Sequence, residues 1–522
     1  MRFTEGRIIL SPSDLMRFQS CEHASALDLR YARSEDLKPA EGGDDAALLQ
    51  KKGHAHEARY LDSFLPDEVV SIERTPDFLG AVARTLSAMR AGTRVIYQGA
   101  LKMGVWQGWS DFLERVDIPS SLGPWSYEVV DTKLKRRADP KHALQLSVYS
   151  RAVAQLQGHA PQNAHVVIGT NERVSIALED VCFYADRLAE RLELFVTNSW
   201  DTKPEPVSAC GLCRWRDLCS AHYEAVDSLV RVAGITRTQR VKLERAGVTT
   251  ARALASLAGR VPGMQVETTE RLRTQARLQL QRLAGSGPSI EVKELETGRG
   301  FARLPPPSKG DLFFDMEGDP LVEGGLEYLF GVYAEERGDS QFRAWWAHTP
   351  EEERQATEVV INFFVTRLSS DPNAHIYHYN HYEVTALKRL TQRYGVGEVA
   401  LDHLLRSKKF VDLYRVVQQG LICSEDGYSL KDLEVFYMGE RDGAVSTAGD
   451  SIIAYETWLE SRDQRILDDI ERYNEVDCRS TKGLRDWLVS VRPKSAWLDS
   501  APSTELEGVL VDPARETLKV RC

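Results

Sequence analysis

Asp311-Leu312-Phe313-Phe314-Asp315-Met316-Glu317-Gly318-Asp319-Pro320 reads as an apolar strand carrying two acids at a spacing of two. Side chains alternate along a strand, so Asp315 and Glu317 share a face at the strand end. Two adjacent carboxylates repel unless a cation or solvent lies between them, and the pair therefore predicts a metal site or an exposed edge. Far along the chain, Tyr473-Asn474-Glu475-Val476-Asp477 puts Tyr473 and Asp477 at i, i+4 on a helix expected to continue through Cys478 to Leu488. Cys478 is expected to face away from that pair and to pack. A second acid on an apolar strand is Asp412, in Phe410-Val411-Asp412-Leu413.

Together these pieces resemble a DEDD exonuclease of the RNase H fold, of the subtype with a Y-x3-D third motif. The likeness runs from about 309 to 490 and is closest to the YprB-like domains found appended to RecB-like nucleases. Asp315 and Glu317 match the first motif, Tyr473 and Asp477 the third. Tyr377-His378-Tyr379-Asn380-His381-Tyr382-Glu383 matches the middle one, with Glu383 standing where the family supplies an Asp at longer spacing. Tyr428-Ser429-Leu430-Lys431-Asp432-Leu433 fits the family's following helix. The resemblance implies two-metal hydrolysis with Asp315, Glu317 and Asp477 as ligands and Tyr473 positioning water. It also leaves open a degraded version that only binds nucleic acid.

Amino-terminal to this lies a different constellation. Cys21 stands alone, while Cys210, Cys213 and Cys219 follow as C-x2-C-x5-C. Four thiolates brought together by a fold suit zinc or an iron-sulfur cluster, and spacing alone leaves both open. A disulfide framework is disfavoured by 8 Cys in 522 residues and the absence of a secretory leader. Between the cysteines, Tyr127-Glu128-Val129-Val130-Asp131-Thr132-Lys133 is a strand ending in D-x-K, so Asp131 and Lys133 share a face, and Asp111 can arrive from a neighbouring strand. Two carboxylates can hold magnesium or manganese while Lys133 orients water or offsets phosphate charge; a surface ion pair is the plain alternative. Gly53-His54-Ala55-His56-Glu57 opens a helix, and Gln145 and Tyr149 share a face of another. Glu57 is expected to be exposed, and Cys182 to be a small core residue.

This series resembles the RecB-type PD-(D/E)XK nucleases, especially iron-sulfur members related to AddB and the CRISPR adaptation nucleases, over roughly residues 1 to 225. The likeness assigns the catalytic roles to His56, Asp111, Asp131, Lys133, Gln145 and Tyr149, with Asp111 and Asp131 as metal ligands and His54 as a second candidate histidine. It assigns Cys21, Cys210, Cys213 and Cys219 to a 4Fe-4S cluster, with zinc as the alternative, clasping the two ends of the domain.

Residues 229 to 258 read as two short helices parted at Ala246-Gly247-Val248, with Thr249 or Thr250 as a cap, similar to a helix-hairpin-helix element that offers backbone N–H groups to phosphate. An ordinary helical spacer reads the same way. The helix from Thr269 to Arg277 adds positive charge, and Gly285-Ser286-Gly287-Pro288 marks a linker. The expected class is α/β, with a PD-(D/E)XK restriction-endonuclease-like domain at 1–225, a helix-hairpin-helix-like segment at 226–284, an RNase H-like domain at 305–490 and a tail at 491–522. A net charge of −11 argues against indiscriminate binding to nucleic acid, so contacts are expected from local tracts such as Lys133-Leu134-Lys135-Arg136-Arg137. No apolar run is long enough for a membrane span and no G-x4-G-K-S/T loop occurs, so unwinding would fall to a separate helicase. The expectation is a cytoplasmic nuclease with Mg2+ or Mn2+, acting on single-stranded or end-exposed DNA in repair or recombination, the second domain being 3'-5' exonuclease-like. A non-catalytic iron-sulfur adaptor and an RNA-processing nuclease are the alternatives.

Overall fold

The computed structural model describes residues 1–33, 37–40, 42–135, 137–198, 201–322, 324–336, 339–439, 441, 445, 447–494 and 497. Most of the expected tail at 491–522, and Arg136 of the basic tract, lie outside them. The chain divides into two units, Met1–Glu224 and Ala225–Cys522.

The first unit is built on a mixed six-stranded sheet whose spatial order follows the chain: β1 (Val69–Ser71), β2 (Val95–Met103), β3 (Trp106–Val116), β4 (Ser126–Thr132), β5 (Asn163–Val167) and β6 (Arg173–Ala177). β1 and β2 are parallel, as are β4 and β5, and the other neighbours are antiparallel. β4 is buried at every position, which its run of apolar residues permits only because both faces are covered. Tyr127 and Val129 pack on one side with Leu146 and Tyr149 of α5 (Pro140–Gln157). Val130 packs on the other with Tyr60 and Leu61 of α3 (Asp44–Leu61). The period of two then fixes Asp131 on the α5 side. The same parity in β3, where Leu113 joins the α5 side and Phe112 the α3 side, puts Asp111 with it. α5 starts cleanly, with Asp139 accepting from Lys141 N at 3.0 Å and Pro140 in its first turn, and stops at Gly158 with φ 64°. α1 (Pro12–Ser20), α2 (Glu22–Ala32), α4 (Phe78–Arg90) and α6 (Cys182–Thr197) complete the unit. Cys182 opens α6 half-buried, its thiol 3.8 Å from the Glu179 carbonyl, so it is a helix-end residue rather than the core residue expected.

The second unit opens with α7 (Arg237–Arg245), α8 (Ala251–Ala255) and α9 (Val266–Leu283) around a small apolar core of Leu229, Leu243, Leu254 and Leu272. Thr250 caps α8 through Ala253 N at 3.0 Å, after a turn that uses Gly247 at φ 82°. The main sheet has five strands in the order β10-β9-β8-β11-β12, formed by β8 (Leu312–Asp319), β9 (Leu326–Glu336), β10 (Asp339–Trp346), β11 (Ile376–His378) and β12 (Phe410–Asp412). β8, β9 and β10 form an antiparallel meander, and β11 and β12 extend it in parallel. A separate pair joins β7 (Ile290–Val292) to β13 (Leu421–Cys423). Leu312, Phe314 and Met316 pack with α10 (Pro350–Ser370), α11 (Tyr382–Tyr394) and α12 (Glu398–Arg406) through Val360, Phe364, Leu387, Leu390 and Leu404. Phe313 faces the other way, with Val416 of α13 (Leu413–Gly420) and Leu484 of α15 (Gln464–Val491). Asp315 and Glu317 have the parity of Phe313 and so face α15. α14 (Ala448–Ser461) contributes Tyr455 and Trp458 to a third cluster with Tyr328. Among the described residues no helix is long and apolar enough to cross a membrane.

Candidate functional site

The carboxyl-terminal acids converge. One carboxylate oxygen each from Asp315, Glu317 and Asp477 lies within 4.8 Å of the others. The strand supplies the first two on one face and α15 supplies the third one turn beyond Tyr473, so a period-two and a period-3.6 element meet at this point. Burial and the nearby Asp477, Glu317 and Glu383 carboxylates push Asp315 well above the usual range. Glu317 is pushed up to about 8 by burial and Asp477. Asp477 is raised by burial against the opposing pull of Arg441. Burial and mutual repulsion oppose ionisation of the three acids, and a divalent cation between them would relieve both.

Its surroundings were only partly legible. Asn474, fully buried, donates Nδ2–H to Asp315 Oδ2 at 2.7 Å. Its neighbour across the sheet is Gly331, which pairs with Asp315 in register and where any Cβ would stand 1.7 Å from Asn474 Oδ1. Lys431 donates to the Tyr473 hydroxyl at 3.3 Å and lies 5.1 Å over its ring. Arg441 pairs with Asp477 at 2.6 Å and also with Glu434. Nothing in the sequence marked Arg441, since it comes from a loop with no motif. Asn474 had a signal, since it lies on the inward side of the helix beside Tyr473 and Asp477. Glu383 is buried beside His378, with Nδ1 3.4 Å from Oε2 in a geometry that makes no hydrogen bond, so that both atoms lack a partner among the described residues. Glu383 is thus brought near Asp315 but stands outside the three-acid group. Asp412 does not join it: its Oδ1 accepts from Tyr414 N at 2.9 Å and Asn380 N at 3.0 Å, capping α13. Cys478 is buried and packs, but beneath the acids, donating to the Gly331 carbonyl at 3.4 Å.

In the amino-terminal unit, Lys133 pairs with Asp131. Asp111 Oδ2 accepts from Thr132 N at 3.0 Å and Thr132 Oγ1 at 3.1 Å, which locks it to the end of β4. Burial and the Asp111 charge push Asp131 well above the usual range, with Lys133 opposing. Burial works against the Lys133 ammonium, but Asp131 and Asp111 outweigh it and hold its pKa up. Gln145 and Tyr149 are both buried on the α5 face; Tyr149 donates to the Trp109 carbonyl at 2.8 Å, and burial with the Asp131 and Asp111 charges raises its pKa. Glu57 corrects the expectation of an exposed side chain: it is half-buried, hydrogen-bonded by Gln98, and raised by burial and by the nearby Asp111. His56 is buried with Nε2 3.1 Å from the Val167 carbonyl, the same oxygen that accepts from Lys133 N at 2.9 Å. It therefore braces the backbone that carries Lys133, and its Nδ1 has no hydrogen-bond partner among the described residues.

The thiols of Cys21, Cys210, Cys213 and Cys219 gather at one place. Cys21 and Cys213 pack on the same apolar cluster of Ala24, Leu27 and Trp215. Burial and the other three thiols push Cys219 up to about 11. Backbone N–H groups point at two of the sulfurs, Ala24 N to Cys21 at 3.4 Å and Val207 N to Cys210 at 3.3 Å. The clasp behind them is Asp28, buried and bound by Arg17 at 2.6 Å, by Trp215 Nε1 at 2.8 Å and by Arg214.

Residues 312–489 match the RNase_H superfamily and form an RNase H-like domain. No curated protein matches the chain.

Proposed function

We propose that the chain is a divalent-metal-dependent nuclease that degrades single-stranded or end-exposed DNA. The RNase H-like domain would be its 3'-5' exonuclease-type centre, and a second, RecB-like centre would lie around Asp111, Asp131 and Lys133. The observation that carries this is the convergence of Asp315, Glu317 and Asp477 within 4.8 Å inside a domain of the RNase_H superfamily. The acids fit Mg2+ or Mn2+: all three are oxygen donors, and their mutual repulsion is what a divalent charge relieves. An ion held there supplies Lewis acidity and a counter-charge for the developing phosphate anion. Tyr473, steadied by Lys431, is placed to orient the attacking water, and Asn474 holds Asp315 in its rotamer. In the other unit Asp111 and Asp131 would hold an ion, Lys133 would stabilise negative charge in the transition state, and Gln145 and Tyr149 would line the strand-facing side.

The four cysteines are proposed to hold a 4Fe-4S cluster as a structural clasp. Four thiolate donors also suit tetrahedral zinc, which stays the alternative. DNA repair or recombination as the setting, a separate helicase as partner and a cytoplasmic location complete the reading.

Digestion of end-labelled single-stranded DNA by anaerobically purified protein with Mg2+ or Mn2+ tests it. Wild type should be compared with Lys133→Ala, Asp315→Asn and the double variant. Loss of a distinct product class in each single variant supports two centres, and identical ladders from wild type and double variant reject nuclease activity. The Arg441–Asp477 ion pair favours one second reading for the carboxyl-terminal domain, in which a guanidinium takes the cation's place and the domain holds strands without cutting. In that case Lys133→Ala alone would remove all cleavage. A matched RNA strand run in parallel separates DNA from RNA processing.

A further inference from the structure

A cleft of about 1180 Å³ lies in the second unit, between the amino-terminal end of α9, the segment after β7 and the loops of the RNase H-like domain. Arg271, Lys293 and Arg299 line it. Arg299 is paired with Glu296 at 3.1 Å, whereas Arg271 and Lys293 make no ion pair among the described residues. Burial lowers Arg271, and burial with the neighbouring Arg271 and Arg299 charges lowers Lys293 to about 8. Keeping two half-buried cations side by side without an anion is costly, and Glu267 at the cleft rim is the one other acid lining it.

Aromatic rings line the same cleft, and Lys293 Nζ donates to the Gln418 carbonyl at 3.1 Å on the helix that carries Tyr414. Tyr379 and Tyr414 stand edge to face, 5.7 Å apart at 79°, and Gln418 fixes the Tyr414 hydroxyl at 3.0 Å. Tyr382 is 48% exposed while its hydroxyl is tied to Glu327 at 2.8 Å, so the ring is held in place with a free face. Cations and anchored rings lining one cleft are what a flexible polyanion with planar bases needs. The cleft's edge adjoins the acid site: the Tyr382 phenol is within electrostatic range of Glu317, and Lys431, which follows Leu430 of the lining, donates to the Tyr473 hydroxyl at 3.3 Å. The wall that carries the charge is firmly docked, since buried Gln275 on α9 donates to the Cys423 carbonyl at 2.8 Å and accepts from the Tyr428 hydroxyl at 2.6 Å.

We propose that this cleft binds single-stranded polynucleotide and feeds it to Asp315, Glu317 and Asp477, with phosphates on Arg271 and Lys293 and bases against Tyr382 and Tyr414. The proposal rests on the nuclease reading of those acids and adds the surface that holds the strand, which selects unpaired over duplex nucleic acid. A duplex keeps its bases stacked on one another and cannot use the tyrosines.

The test is fluorescence anisotropy of labelled oligothymidylate and oligouridylate with the full chain in EDTA, across a salt series. Arg271→Gln/Lys293→Gln should lower the log K against log salt slope by about 1.4, since each single-strand phosphate contact carries about 0.7. Tyr414→Ala should weaken binding about 5- to 160-fold, the span of one lost base stack. Lys293→Arg should keep the slope, which separates charge from misfolding. A double variant that melts normally and binds both oligomers with wild-type slope and affinity overturns the proposal. Equal affinity for a duplex of the same length does so too. Degradation assays with Asp315→Asn keep the two readings apart: loss of products there beside wild-type binding in the double variant sinks the cleft alone. A reduced slope in the double variant beside identical products from wild type and Asp315→Asn sinks the catalytic reading alone.

Discussion

Gly331→Ala is a one-carbon change whose effect is set by a residue far away in the chain. Gly331 lies in an extended strand, where replacing Gly by Ala ordinarily stabilises by about 0.4–1 kcal/mol through the unfolded chain. Here the new Cβ would stand 1.7 Å from Asn474 Oδ1, against 3.0 Å from Phe342 Cε2. Phe342 can yield by tenths of an ångström, but Asn474 is fully buried and has to leave its rotamer. Leaving breaks the 2.7 Å bond to Asp315, whose buried carboxyl is held toward its protonated form, so the bond is worth about 0.5–1.5 kcal/mol, and strands the buried Nδ2 at about 1–3 kcal/mol more. Less the gain from the unfolded chain, the expected destabilisation is about 1–4 kcal/mol, read by urea unfolding of the apo protein. In an Asn474→Ala background the obstruction is gone, and Gly331→Ala should cost less than about 1 kcal/mol or stabilise. The double-mutant cycle thus predicts a coupling of about 1–3 kcal/mol. Additive effects, or a Gly331→Ala protein as stable as wild type, would refute the argument that Asn474 links the strand to the acid cluster.

Asp28→Asn should destabilise the amino-terminal unit by about 1.5–3 kcal/mol, because Trp215 Nε1 and the part-exposed Arg17 and Arg214 lose a buried charged acceptor. Burial would raise the Asp28 pKa, but Arg17, Arg214 and Trp215 prevail and lower it. Its contribution is therefore full above the ordinary Asp value near ~3.9 and is lost as pH falls through the folded pKa. Acid unfolding of wild type should show this loss and the Asn variant should not. Lys133→Ala should abolish cleavage by the first centre with DNA binding still measurable, and a parallel loss of both would show that Lys133 acts in the ground state. Cys213→Ser should bleach broad absorbance near ~400 nm and lower the melting temperature of the first unit; an unchanged spectrum with bound zinc rejects iron.

Short-range chemistry was written in the chain. The spacing of two in Asp315 and Glu317 and in Asp131 and Lys133, and the spacing of four in Gln145 and Tyr149 and in Tyr473 and Asp477, fix which side chains share a face as soon as strand or helix forms. Apolar neighbours then decide which face is buried, and so the direction in which the acids point. Tertiary structure alone decided what joins them. Glu57 reads as a surface helical residue until α3 packs across the sheet and turns it toward Asp111. His56 reads as a catalytic histidine from its helix alone, and only the fold shows its Nε2 set on the carbonyl behind Lys133. Asp412 reads as a fourth acid until helix α13 begins on it and takes its oxygen as a cap. Arg441 belongs to no repeating pattern at all. Each of these depends on distances between segments tens or hundreds of residues apart, and periodicity carries no information about such distances. Local geometry repeats along the chain, whereas the closure of one element on another is set by the whole core.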